Sequence, residues 1–363
     1  MKAVVSKRQS WPVLAAGLLS LAYILALVFV PSPGPPARGQ MVAASRLMAR
    51  AEAVIAKCRT ERGIPPDPTA DPNGTGLVGV EMSEITTTLG NLEAKRTTTN
   101  PNFAGLAVDL FREAGVERGD AVAVGASGSF PALITAVLAA SRVMDLRPLL
   151  IVSLGSSQWG ANVPGFTWMD MAGCLRRAGV LAVRPIAAAI GGDEDVGRDM
   201  SAEGRALLAR RIEADGLPVV GRPELEADVA ARLGLYEAAA RGRPIRAFVN
   251  IGGSWANMGT NAEVLRLRPG LTRDVFVPPP GERGVIQAMA ARGIPVIHFL
   301  NIRGLAERYR LPWDPKPLTE PGEGAFYRQA AARRPAFIFV TAGYVLIIVV
   351  LLVLAGRRPR LGT

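Results

Sequence analysis

The stretch Gly119-Asp120-Ala121-Val122-Ala123-Val124-Gly125-Ala126-Ser127-Gly128-Ser129-Phe130-Pro131, continued by an apolar run to Ala140, decides the reading of the fold. Residues 121–124 are apolar without alternation, the mark of a strand buried on both faces. Small and hydroxyl residues then make a tight turn, and Pro131 suits the first turn of a helix. Strand, turn and helix in that order gather backbone N–H groups and the positive end of a helix dipole around Ser127 and Ser129. Such a place suits a carboxylate, a phosphate or an oxyanion.

Working outward, strand and helix alternate. Residues 40–62 read as a helix with Met41, Ala44, Leu47, Met48, Ala51, Val54 and Ile55 at helical spacing. Residues 77–82 read as a strand, 103–114 as a helix, 148–154 as a strand and 167–178 as a helix. Strands at 180–187, 218–220, 245–251 and 295–300 follow, with helices at 199–214, 224–241, 282–292 and near Leu305. This predicts an α/β domain over 41–334, with a largely parallel open sheet and helices on both faces.

Two runs lie outside that domain. Residues 13–30 are uncharged and apolar after Lys2, Lys7 and Arg8, and 336–355 are apolar between Arg333, Arg334 and the basic tail at 356–363. Both are about the length of a bilayer span, so the expectation is one transmembrane helix at each end. A cleaved signal peptide competes for the first run, but no small-residue cleavage site follows, and the segment 31–40 carries Pro31, Pro33, Pro35 and Pro36 as a stiff exit. The basic residues at 1–12 and at the far end favour a two-pass cell-membrane protein with both termini cytoplasmic and the domain outside.

The net charge of +11 raises nucleic acid as a partner, but no basic run is interleaved with aromatics, and nucleic acid is set aside. Cys58 and Cys174 lack metal-like spacing and are either one disulfide or two buried thiols. With one histidine and two distant cysteines, no metal site is expected, and Asp193, Glu194 and Asp195 read as a solvated turn. No cofactor is expected either: the 125–129 turn lacks the three-glycine spacing of a dinucleotide site.

Four strands end alike. Val124 runs into Gly125, Ser127, Gly128 and Ser129; Leu154 into Gly155, Ser156, Ser157, Trp159 and Asn162; Ile251 into Gly252, Gly253, Ser254, Trp255 and Asn257; and the last strand carries His298 and ends near Asn301. In an open parallel sheet these ends share one edge, where ligands bind. The ligand-binding candidates are therefore Gly125, Gly128, Ser129, Ser156, Ser157, Asn162, Gly253, Ser254 and Asn257. Each loop alone reads equally as an ordinary strand-to-helix turn. Residues 91–102 are polar without apolar periodicity, and Lys95 and Arg96 in them face either a ligand or solvent.

A sharper alternative makes Ser127 a nucleophile. A serine on a strand-to-helix turn resembles the nucleophile elbow of the α/β-hydrolases, and His298 downstream, with Asp170 as third member, repeats their chain order. Ser129 stands where that pattern has its second glycine.

The segments Ile85-Thr86-Thr87-Thr88-Leu89-Gly90, Lys95-Arg96-Thr97, Asn100-Pro101-Asn102-Phe103, 125–131 and Gly155-Ser156-Ser157 with Trp159-Gly160-Ala161-Asn162 resemble the poly-gamma-glutamate system proteins. The resemblance implies a membrane accessory component of a poly-gamma-glutamate synthesis and export system. Its partners would be the anionic polymer, or another polycarboxylate, and the membrane subunits of the synthase. A serine hydrolase or amide-transfer enzyme acting on that polymer is the enzymatic alternative, and a small-molecule carboxylate sensor a third.

Overall fold

The computed structural model describes residues 11–29, 37–182, 184–327 and 335–356. It divides into two compact units, one from the two chain ends and one spanning Ala37–Gly324. Residues 1–10, 31–36 and 357–363, which hold most of the expected tails and proline exit, lie outside the described residues.

In the unit of the chain ends, α1 (Trp11–Phe29) pairs with the C-terminal helix Pro335–Gly356. The Tyr23 and Tyr344 rings stack with centroids 4.2 Å apart, Ser20 Oγ is 2.8 Å from the Tyr344 hydroxyl, and the Tyr23 hydroxyl is 2.8 Å from Thr341 Oγ1. The expectation of a transmembrane helix at each end, and with it the two-pass cell-membrane location, is corrected. Among the described residues no helix is long and apolar enough to cross a membrane.

The larger unit opens on α2 (Arg38–Glu61), whose Met41, Ala44, Met48, Ala51 and Ile55 are buried at helical spacing. Then follow α3 (Leu92–Thr98), α4 (Asn102–Glu113), α5 (Pro131–Val143), α6 (Trp168–Arg177), α7 (Ala202–Ala214), α8 (Leu225–Ala240), α9 (Trp255–Met258), α10 (Val285–Ala290) and α11 (Ile302–Tyr309). The strands are β1 (Ala121–Ser127), β2 (Arg147–Ser153), β3 (Ala187–Ala189), β4 (Val219–Val220), β5 (Ile245–Ile251), β6 (Gly270–Thr272) and β7 (Val296–Phe299). They form one sheet in the order β4-β3-β2-β1-β5-β7-β6. Every neighbouring pair is parallel except β6 with β7.

All seven residues of β1 are buried, as an unalternated apolar run requires. One sheet face, with Ala121, Ala123, Leu149 and Ile151, packs against Leu225, Val229, Tyr236 and Ala240 of α8. The Tyr236 hydroxyl donates to the Val124 carbonyl at 3.0 Å, so its polar end is satisfied inside the core. Elsewhere α2, α4 and α5 pack on one another, and Cys58 of α2 is disulfide-bonded to Cys174 of α6. Arg232 of α8, fully buried, donates to Asp228 at 3.1 Å and pairs with Asp195. Asp195 also accepts from Ser153 Oγ at 2.8 Å, which fixes the 192–196 turn to the end of β2.

Several local expectations change. Residues 77–82 form no strand: Gly79 and Val80 exchange hydrogen bonds with Trp159, and further on Thr86 bridges Ser156, whose carbonyl accepts from the Thr87 N–H, so 77–90 lies along the loop that follows β2. The strand expected over 180–187 is not formed there: β3 starts only at Ala187 and runs to Ala189, while α9 and the antiparallel edge strand β6 were not expected. The polar stretch 91–102 contains a helix, α3, started by the Asn91 side chain accepting from the Ala94 N–H at 2.7 Å.

Candidate functional site

From β1 the chain steps outward through β2, β3 and β4, then returns to place β5 on the other side of β1. Between the carboxyl ends of β1 and β5 the connections diverge, and a crevice opens there for topological reasons. It holds a cleft of about 780 Å³ lined by Ser127 at the end of β1 with Ser129 and Phe130 beyond it, Ser153 at the end of β2 with Gly155 and Ser157 beyond it, Gly253, Ser254 and Trp255 after β5, and Leu300 to Ile302 after β7. Thr87 to Asn91, Lys95, Asp193 and Asp199 complete the wall.

Lys95 is delivered by α3 and is 4% exposed. Its Nζ donates to the Ser129 carbonyl at 2.5 Å, lies 2.7 Å from Ser157 Oγ, and sits 3.9 Å from the centre of the Phe130 ring. Burial lowers its pKa to about 7, since the charged form is stripped of water. The serines join up around it. Ser127 Oγ donates to Ser129 Oγ at 2.9 Å and accepts from the Ser129 N–H at 3.2 Å, and the Ser157 N–H donates to Ser129 Oγ at 3.0 Å. Ser254 Oγ is buried with no hydrogen-bond partner among the described residues, a polar atom a ligand could satisfy. Ser129 and Phe130 immediately precede α5, so the positive end of that helix adjoins the same wall.

Arg96 does not line the cleft. Its guanidinium grips Asp314 through two bonds of 2.6 and 2.7 Å, and the Asp314 N–H donates to Thr97 Oγ1 at 2.8 Å, so Arg96 anchors α3 and thereby Lys95.

Ser127, His298 and Asp170 are not assembled into a triad: none is hydrogen-bonded to another among the described residues. His298, 3% exposed, takes the Asn250 amide N–H at Nδ1 over 3.1 Å, because β5 and β7 pair in register at those positions. Burial lowers its pKa to about 4. Asp170 accepts from the Thr167 N–H and hydroxyl at the start of α6 and pairs with Arg62 at 2.9 Å and Arg211 at 3.5 Å.

Of the ligand-binding candidates, Ser129, Ser157, Gly253, Ser254 and Lys95 line the cleft, and the others support it. A Cβ on Gly125 would meet the Asn257 amide at 2.5 Å, and one on Gly128 the Leu154 carbonyl at 2.6 Å. Asn257 donates to Asn250 at 3.0 Å, Asn162 clasps Val80 with both ends of its amide, and Ser156 Oγ donates to the Ser157 carbonyl. Thr87, Thr88, Leu89, Asn91, Asp193, Asp199 and Leu265 were missed. The Asn91 cap was readable in sequence; the rest arrive by tertiary packing that no local pattern encodes.

No family model matches the chain, and no curated protein or solved structure matches it.

Proposed function

We propose that this chain is an accessory protein of a poly-gamma-glutamate synthesis and export system that holds the anionic polymer in the cleft between the ends of β1 and β5. The observation that carries the reading is the Lys95 amine, buried in the cleft wall among serine hydroxyls. A carboxylate arriving there supplies the counter-charge that favours the ammonium, and hydroxyls and the start of α5 supply further donors. The polymer's methylene groups have an apolar rim to lie against, since Leu89 and Leu265 line the cleft while 85% and 78% exposed. Asp193 and Asp199 in the same wall repel carboxylates near them, so the reading puts the polymer's bound carboxylate at Lys95 and its other carboxylates away from those two side chains. The resemblance of the 85–103, 125–131 and 155–162 segments points the class of ligand towards poly-gamma-glutamate.

The test is a calorimetric titration of the full chain with poly-gamma-glutamate, repeated on Ser254→Trp, which fills the cleft. The reading expects binding by the wild type and its loss in the folded variant. Undiminished binding by the variant would remove the cleft from the account.

A further inference from the structure

We infer that Lys95 and Ser157 form a general-base and nucleophile pair for acyl transfer, acting on an amide or ester carbonyl of a chain seated in the cleft. The inference rests on the binding reading only in taking the same cleft as the substrate site: it engages Lys95 as the neutral amine, with the substrate's carbonyl at Ser157 and no carboxylate paired to Lys95 during the reaction.

Among the cleft serines, Ser157 is the one whose hydroxyl touches a base, 2.7 Å from Lys95 Nζ. Ser127 instead donates to Ser129 Oγ, and the imidazole of His298 is committed to Asn250. The amine is held in place: it donates to the Ser129 carbonyl, and a neutral amine doing so keeps its lone pair for the Ser157 proton. The nucleophile is held too, by its own N–H on Ser129 Oγ. Its desolvated setting brings the amine near neutrality, where a general base works best. The positive end of α5 adjoins the wall where an oxyanion would develop.

In the step proposed, Lys95 Nζ takes the Ser157 proton as Oγ bonds to the carbonyl carbon. The tetrahedral intermediate collapses with cleavage of the C–N or C–O bond, and the leaving amine or alcohol takes the proton from the Lys95 ammonium. Water then attacks the acyl-serine, giving its proton to Lys95; the ester C–O bond breaks, a carboxylic acid leaves and Ser157 recovers its proton. The charged groups on the helix of Lys95 are Glu93 and Arg96, and Asp193 and Asp199 line the same cleft, while burial is what lowers the Lys95 pKa.

The experiment treats the full chain with a fluorophosphonate and locates the adduct by peptide mass. Labelling is expected at Ser157, absent in Ser157→Ala, and slower by about 100-fold or more in Lys95→Met that is shown to be folded by circular dichroism. The wild-type rate should rise through a pH of about 7. An adduct at Ser127 alone, no adduct on the folded protein, or wild-type labelling by Lys95→Met overturns the pair. If Lys95→Met does not fold, Ser157→Cys replaces it. Alkylation of that thiol with a midpoint at least about one pH unit below the ordinary value near 8.5 supports the pair, and an ordinary midpoint overturns it. Calorimetry with poly-gamma-glutamate separates the two readings. Labelling without binding removes the polymer and keeps the pair, whereas binding without labelling does the reverse.

Discussion

Nζ of Lys95 lies 2.7 Å from Oγ of Ser157, inside a wall where the lysine is almost wholly removed from water. A buried amine of this kind makes stability depend on pH. Its folded pKa of about 7 lies below the ordinary value of 10.5, so the unfolded chain binds more protons between those limits. The contribution is fully present above the upper limit and is lost as pH falls through about 7. Wild-type stability relative to Lys95→Met should therefore rise between pH 7 and 10, as read from urea midpoints. Parallel curves for the two proteins would show that the amine is solvated.

His298 acts in the same direction at lower pH. Its pKa is lowered from 6.5 to about 4 by burial, and protonation would break the bond it accepts from Asn250. Its contribution, up to roughly 3 kcal/mol, is present above pH 6.5 and is lost as pH falls towards 4. His298→Gln should flatten the acid limb of the stability curve over that window. An unchanged limb would assign the acid sensitivity to other groups.

The Cys58–Cys174 disulfide closes a loop of 116 residues between α2 and α6. Replacing both cysteines by serine should cost about 2 to 5 kcal/mol of stability, through release of the unfolded chain. Equal denaturant midpoints for the variant and the oxidised wild type would contradict that contribution.

How much of this was legible in the sequence depended on whether the signal was local. The apolar runs of β1 and β5 and the spacing of α2 were readable because burial on two faces, or on one stripe, is written into neighbouring residues. Strand order is not written there. His298 read as a base because nothing local shows that β7 lies beside β5 and sets Asn250 against it. Asp170 was half readable: Thr167 three residues earlier forms a capping pair with it, a structural use that competes with catalysis. Lys95 was singled out only as a basic residue in a polar stretch, and its burial depends on α3 being tied down by Arg96 and Asp314, more than two hundred residues apart. The two terminal runs satisfied a length and hydropathy rule in sequence, but no helix among the described residues meets it.

The measurement that tests the cleft most directly is proton uptake on binding. Poly-gamma-glutamate is titrated into the full chain near pH 8 in buffers of different ionisation enthalpy. At that pH Lys95 is mostly neutral, so a carboxylate that binds beside it should draw close to one proton per site, and Lys95→Met should abolish that uptake. Binding without proton uptake, the same uptake in Lys95→Met, or no binding by the folded protein would contradict the placement of a carboxylate at Lys95.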